Sequence, residues 1–158
     1  MKTDKGTLYY QVGGKGDALL LLHGNGESSD IFAQQFPFFT KHFRVIALDT
    51  RGHGKSDLGV ERLTFKQIAT DILALLDKER IQRIHVLGFS DGGNLGLYLA
   101  AHHPDRIASL VAMGANYEAD GLTDACNACN PCVIKTLTNS RQLLQIFWGC
   151  SGKNSKKP

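Results

Sequence analysis

The sequence predicts an α/β domain with a doubly wound, mostly parallel sheet, and three observations predict it. Four continuous apolar runs, at 18–23, 43–49, 83–89 and 107–115, stop at or beside glycines. An unbroken apolar run suits a strand buried on both faces, which is the situation inside a parallel sheet covered by helices. Helix-period patterns lie between the runs, so the connections read as right-handed βαβ crossovers. A length of 158 residues, with 42% apolar and 21% charged residues, suits one domain of ordinary globular composition.

Taken in order, TLYYQV (7–12) mixes β-branched and aromatic residues and ends at Gly13-Gly14, as a strand closed by a turn. ALLLLH (18–23) is the first buried parallel strand. Asp30 to Phe36 reads as a short helix disturbed by Pro37. FRVIALD (43–49) is the second parallel strand. In 63–80, Phe65, Ile68, Ala69, Ile72, Leu75 and Leu76 recur at helical spacing. Thr64 and Gln67 form a capping box there, and Lys78 and Arg80 suit the negative end of the helix dipole. RIHVLGF (83–89) is the third parallel strand, 91–104 a helix ending before Pro104, and IASLVAMGA (107–115) the fourth, after which the pattern stops.

Composition changes there too. Residues 1–124 hold 13 Lys and Arg against 15 Asp and Glu, whereas 125–158 hold five basic residues and no acidic one. The boundary falls near Leu122 to Asp124: residues 1–124 are a core, and 125–158 an atypical basic tail, disordered or produced by a shift of reading frame. The tail carries Cys126, Cys129, Cys132 and Cys150. A C-x-x-C-x-x-C run has thiolate spacing, yet Cys132 is followed by Val133-Ile134-Lys135 and no Cys-Pro completes the run as in an iron–sulfur site, so no metal site is assigned. The tail has no basic stripe with aromatic platforms, which argues against nucleic acid. No segment reaches the roughly 20 apolar residues of a membrane helix, and MKTDKGTLYY holds no apolar leader, so the expected location is cytoplasmic.

Chemistry concentrates at Gly88-Phe89-Ser90-Asp91-Gly92, a G-x-S-x-G between a buried strand and a helix. So tight a turn strains the serine, and small residues two before and two after relieve the crowding. Its Oγ then projects above the sheet, beside the Asp91 amide and the positive end of the helix. A second donor is expected from the loop after the first parallel strand, and the Asn25 amide of His23-Gly24-Asn25-Gly26 is the candidate. The Asp91 carboxylate has two readings, a helix N-terminal acid or a partner for a substrate ammonium group.

Three motifs in order, HGNG (23–26), DTRGHGKS (49–56) and GFSDGG (88–93), followed by HPDRI (103–107), resemble the α/β-hydrolase family across about 120 residues. The resemblance implies a serine hydrolase of esterase, lactonase or aminoacyl-ester type. Ser90 would attack an acyl carbon of a small molecule, the Asn25 and Asp91 amides would hold the oxyanion, and no cofactor would be needed. It also implies that the sheet is truncated after its fourth parallel strand.

In that family the order is serine, acid, histidine along the chain. After Ser90 only His102 and His103 remain, about 18 Å away along the helix, too far to take its proton. No base is found. Glu118 or Asp120 is the candidate acid. His23 reads as a loop-bonding residue, Arg51, His53 and Ser56 as turn-shaping residues with Ser56 capping the segment after it, and His42 and His85 as packing or surface residues. Two readings of activity therefore stand: a serine hydrolase, or an inactive fragment acting by association. The strand 107–115, left as an open edge, is the expected surface for self-association.

Overall fold

The computed structural model describes residues 1–3, 5–60, 62–115, 133–137 and 143–147. The chain begins with a small ribbon, β1 (Lys2–Thr3) paired antiparallel to β2 (Gly6–Thr7). Next come β3 (Tyr10–Gly13) and β4 (Ala18–Leu22), a 3-10 turn at Ser29–Phe32, the short α1 (Phe36–Phe39), and β5 (Arg44–Leu48). Then come α2 (Phe65–Lys78), β6 (Ile84–Phe89), α3 (Asp91–His102), β7 (Ile107–Met113), β8 (Val133–Leu137) and β9 (Leu143–Phe147).

The main sheet has the order β3-β5-β4-β6-β7-β8-β9. Four strands, β5, β4, β6 and β7, are parallel, matching the four apolar runs, and β3 is antiparallel on β5. β4 lies at the centre, with Leu20 paired to Ile46 on one side and Val86 on the other. Its Leu20, Leu21 and Leu22 are completely buried. Burying each such side chain contributes about 1.5–3 kcal/mol.

The two faces are covered differently. On one, Leu20, Leu22, Ile46, Leu48, Ile84, Val86 and Leu110 pack with Ile68, Ile72, Leu75 and Leu76 of α2 and Leu95 and Leu99 of α3. On the other, Leu19, Leu21, Val45 and Ala47 are covered by Phe32 and by the aromatic cluster of Phe36, Phe39 and Phe43. That cover stops short of β7, and Leu87, Val111 and Met113 on this face remain half-buried.

Four expectations need correction. The strand expected at 7–12 is divided, because the buried Leu8 donates its N–H to the Met1 carbonyl at 2.7 Å and Tyr9 donates to Ser56 Oγ at 2.9 Å. Those amides leave the ladder for other acceptors. The helix expected at 30–36 is two pieces, the 3-10 turn capped by Ser28 and α1 with Pro37 in its first turn. Proline there starts a helical turn rather than disturbing one. Ser56 caps no helix; its hydroxyl donates to the Asp49 carbonyl at 2.6 Å while accepting from Tyr9, pinning the turn to β3. The edge of β7 is not open: β8 pairs antiparallel with it through Leu110–Ala112, and β9 pairs with β8. Unpaired strand amides and carbonyls recruit a partner strand, and here the chain itself supplies one.

The boundary expected at Leu122–Asp124, the candidate acids Glu118 and Asp120, and the four cysteines lie outside the described residues.

Candidate functional site

The parallel strands β4, β5 and β6 all end toward one side of the sheet, and the loops after them, 23–28, 49–57 and 90–92, meet there. Ligands of open α/β sheets gather at this end. Ser90 stands between the last residue of β6 and the first of α3, with φ +52° and ψ −118°. Among the described residues the other non-glycine with positive φ is Arg80, just past the C-terminal end of α2, where a left-handed residue is the ordinary way to stop a helix. Ser90 has no such excuse. Its conformation costs about 1–3 kcal/mol and persists because the surroundings over-determine it.

Those surroundings are explicit. The Ser90 N–H donates to the Met113 carbonyl at 2.7 Å, tying the turn to the end of β7. The Ser90 carbonyl accepts from Gly93 at 2.8 Å and Asn94 at 3.1 Å, starting the helix. A Cβ on Gly88 would lie 2.2 Å from the Gly92 carbonyl oxygen, and one on Gly92 would lie 2.2 Å from that of Leu22. The flanking glycines are thus required by close backbone approach on both sides of the turn.

The loop after β4 approaches from the opposite side. A Cβ on Gly24 would sit 3.1 Å from Ser90 Cβ, so the two backbones pass in near contact. Among the described residues, the Asn25 N–H and the Asp91 N–H have no hydrogen-bond acceptor. Asp91 is the first residue of α3, whose amide is one of the helix's unsatisfied donors. Its carboxylate accepts from the Asn94 side chain at 3.3 Å, and the residue lines a cavity of about 330 Å³. Leu63, Phe65, Ile68 and Leu95 form the apolar wall of that cavity, and Asn25, His53 and Asp91 stand on its polar side.

His23 is 2% exposed and spends both ring nitrogens locally. The Thr50 amide can only donate, so Nε2, 3.0 Å away, is the acceptor, and Nδ1–H donates to the Gly24 carbonyl at 2.7 Å. Burial holds its pKa below 6.5 even though Asp49 and Glu27 act to raise it. His53 lies against His23 with ring centroids 5.2 Å apart, its Nδ1 3.1 Å from the Arg51 carbonyl and its Nε2 3.4 Å from Asn25 Oδ1. His85 meets Ser109 Oγ at 2.7 Å, His42 packs on Phe38, and His102 stacks on Tyr98 and meets its carbonyl. All six histidines lie among the described residues, and none is hydrogen-bonded to Ser90.

Two contributors escaped the sequence reading. Glu27 accepts the Gly24 N–H at 2.8 Å, and its signal was available: an acid three residues after a turn glycine has the spacing of the return half of a capping box. The cavity wall of Leu63, Phe65, Ile68 and Leu95 had no local signal, since α2 and α3 meet only in the fold. Among the described residues no group of three or more His, Cys, Asp or Glu could hold a metal, and no helix is long and apolar enough to cross a membrane.

A family model described as alpha/beta hydrolase fold matches residues 17–143. The chain is 32% identical over 151 residues, 95% of its length, to the dihydrolipoyllysine-residue acetyltransferase component of an acetoin cleaving system from Pseudomonas putida, covering 36% of that protein. It is 36% identical over 106 residues, 66% of its length, to 3-oxoadipate enol-lactonase 2 from Acinetobacter baylyi, covering 40% of it. Among solved structures, the enol-lactonase from Burkholderia xenovorans superposes with a TM-score of 0.63 at 36% identity, over 66% of this chain and 42% of that one. The chain spans about two fifths of the length of the relatives it matches.

Proposed function

The chain belongs to the alpha/beta hydrolase fold family, and from that premise we propose that Ser90 is the nucleophile of an acyl-transfer site acting on a small-molecule carboxylic ester or lactone. The observation that carries the reading is the backbone of Ser90, held at φ +52° where a buried strand turns into a helix. Among the described residues the Ser90 hydroxyl has no hydrogen-bond partner, and the side chain makes no capping bond. A strained serine that serves no structural bond is a candidate for chemistry.

In this reading Ser90 Oγ bonds to the acyl carbon, the carbonyl oxygen becomes an oxyanion, and the alcohol leaves as the acyl-enzyme forms. Water then releases the acid. The Asn25 and Asp91 amides stabilise the oxyanion, each such donor being worth roughly 10²–10³ in rate. The apolar wall of the cavity receives the hydrocarbon part of the substrate. The carboxylate of Asp91, a residue that lines the same cavity, attracts a substrate ammonium group where one is present. The triad acid is assigned to Glu118 or Asp120.

A second reading is favoured by the histidines, none of which is bonded to Ser90. Without a base the site retains only the modest rate that oxyanion stabilisation and binding supply, and the chain by itself is inert or acts by association. Hydrolysis of short-chain p-nitrophenyl esters, with Ser90→Ala as control, separates the two. Turnover above the buffer rate that disappears in Ser90→Ala supports the enzyme; identical rates for both proteins reject it for this chain.

A further inference from the structure

We propose that Glu27 is a positioning residue for the oxyanion-stabilising loop, and that it does so by assigning the successive amides of Gly24 and Asn25 to different tasks. This inference rests on the reading of Ser90 as a nucleophile and concerns a residue that the three motifs do not contain.

The loop 23–28 is pinned at entry and exit, and Glu27 supplies the pin between. At entry, His23 bonds both the Gly24 carbonyl and the Thr50 amide. At exit, the Ser29 N–H donates to Asp49 Oδ1 at 2.8 Å. Between these points Gly26 reverses the chain at φ +73°, a conformation that gives the loop no stiffness of its own. Glu27 closes the reversal with two reciprocal bonds: the Gly24 N–H donates to Glu27 Oε2 at 2.8 Å, and the Glu27 N–H donates to the Gly24 carbonyl at 3.3 Å.

Two consequences reach the nucleophile. The Gly24 amide, which adjoins Ser90, is occupied, and the next amide along the loop, that of Asn25, has no acceptor among the described residues. Carboxylate and nucleophile also approach the same point of the loop, because a Cβ on Gly24 would lie 2.7 Å from Glu27 Oε2 and 3.1 Å from Ser90 Cβ. The carboxylate therefore holds in place the residue that adjoins the nucleophile, and that residue has no side chain to intervene. What the bond needs is an acceptor oxygen and not a charge. A negative charge so near a developing oxyanion opposes it, so glutamine at this position should serve as well or better.

The test uses the full chain and a p-nitrophenyl alkylphosphonate. Ser90 Oγ forms a bond to phosphorus, the nitrophenolate leaves with the electrons of its P–O bond, and the hydroxyl proton passes to solvent. The phosphoryl oxygen takes the position of the oxyanion. Labelling rate is read from nitrophenolate release and a mass shift at Ser90, with Ser90→Ala as blank, and amide exchange at Gly24 and Asn25 is monitored by NMR. Glu27→Ala is expected to slow labelling about 10- to 100-fold, the scale of a misplaced catalytic group, and to speed Gly24 exchange at least about tenfold, one hydrogen bond's worth of protection. Glu27→Gln should restore both, which a purely structural loss would not predict for the labelling rate. Labelling of Glu27→Ala at the wild-type rate, or of Glu27→Gln as slowly as Glu27→Ala, overturns the proposal. Should wild-type Ser90 prove inert to the probe, the nucleophile is rejected on its own account. Glu27 then stands on exchange alone, and unchanged Gly24 exchange in Glu27→Ala overturns it.

Discussion

The Arg51 guanidinium grips the Asp71 carboxylate with a parallel pair of hydrogen bonds, Nε to Oδ2 at 2.8 Å and Nη2 to Oδ1 at 2.7 Å. Both side chains are almost wholly buried. Arg51 also donates from Nη1 to the carbonyls of Lys5 at 2.9 Å and Leu58 at 3.2 Å, so one side chain joins the N-terminal ribbon, the 51–58 turn and α2. Asp71→Ala would leave that cation buried without its counter-ion, and the expected loss is about 3–5 kcal/mol in urea unfolding. Arg51→Lys should lose nearly as much, because an ammonium cannot reproduce the planar fork. A loss below about 1 kcal/mol for either would mean that water reaches the pair.

The glycines of α3 divide into two kinds. A Cβ on Gly92 would meet the Leu22 carbonyl oxygen at 2.2 Å, backbone at the centre of the sheet, whereas one on Gly96 would meet the Leu110 Cδ1 methyl at 2.5 Å. The first neighbour cannot move and the second is the end of a side chain. Both substitutions gain about 1 kcal/mol of helix propensity. Gly96→Ala is therefore expected to fold with a net change within about 2 kcal/mol after overpacking. Gly92→Ala should lose its near-UV circular dichroism.

How much of this was legible in the sequence depends on how local each cause is. The runs at 18–23, 43–49, 83–89 and 107–115 announced the four parallel strands, because a strand buried on both faces needs no partner to be recognised. Thr64 announced the start of α2, and its hydroxyl accepts from the Gln67 amide at 3.2 Å. The break between β2 and β3 was hidden, since it depends on Ser56, 47 residues from Tyr9. The strand that pairs with β7 was hidden for the same reason: residues 133–137 lie inside the stretch of unlike composition, and nothing near Leu110 in the sequence points to them. At the proposed site, the candidates Ser90, Asn25 and Asp91 come from motifs. Glu27 lies one residue beyond its motif.

On the proposed reading, Ser90 also sets stability against chemistry. Its backbone strain of about 1–3 kcal/mol would vanish in glycine, which adopts positive φ freely, at a cost of about 0.5 to 1 kcal/mol in unfolded-chain entropy. Ser90→Gly is thus expected to raise the stability by about 1 kcal/mol, near 3 °C in melting temperature for a chain of this size. Ser90→Ala keeps a Cβ in the same conformation and should melt within about 1 °C of the wild type. Equal melting temperatures for Ser90→Gly and Ser90→Ala would show that the turn stores no strain.

His23 gives the fold a pH dependence with a definite sign. Burial disfavours the imidazolium, and the Thr50 N–H aimed at Nε2 leaves no room for a second proton, so the folded-state pKa lies below 6.5. In the unfolded chain the group titrates near 6.5. Between these values the unfolded state binds a proton that the folded state refuses, so stability is complete above pH 6.5 and declines as the pH falls below it. The decline is at most about 1.4 kcal/mol per pH unit for one group. Asp49 acts in a separate, lower window. Burial raises its pKa, but hydrogen bonds from Ser29 and Lys55 outweigh that and hold it below 3.8, so its contribution is lost only as the pH falls below that value. His23→Gln should be less stable than wild type at pH 7.5 by about 1–3 kcal/mol, the cost of disturbing buried bonds. The two proteins should then converge as the pH is lowered from 6.5 toward 5, because only one of them has this proton to take up. Urea denaturation at pH 7.5, 6.5, 5.5 and 5.0 measures the difference, in which the other five histidines cancel. A constant gap across that range would mean that His23 is protonated in the folded protein, and that the Thr50 amide finds its acceptor elsewhere.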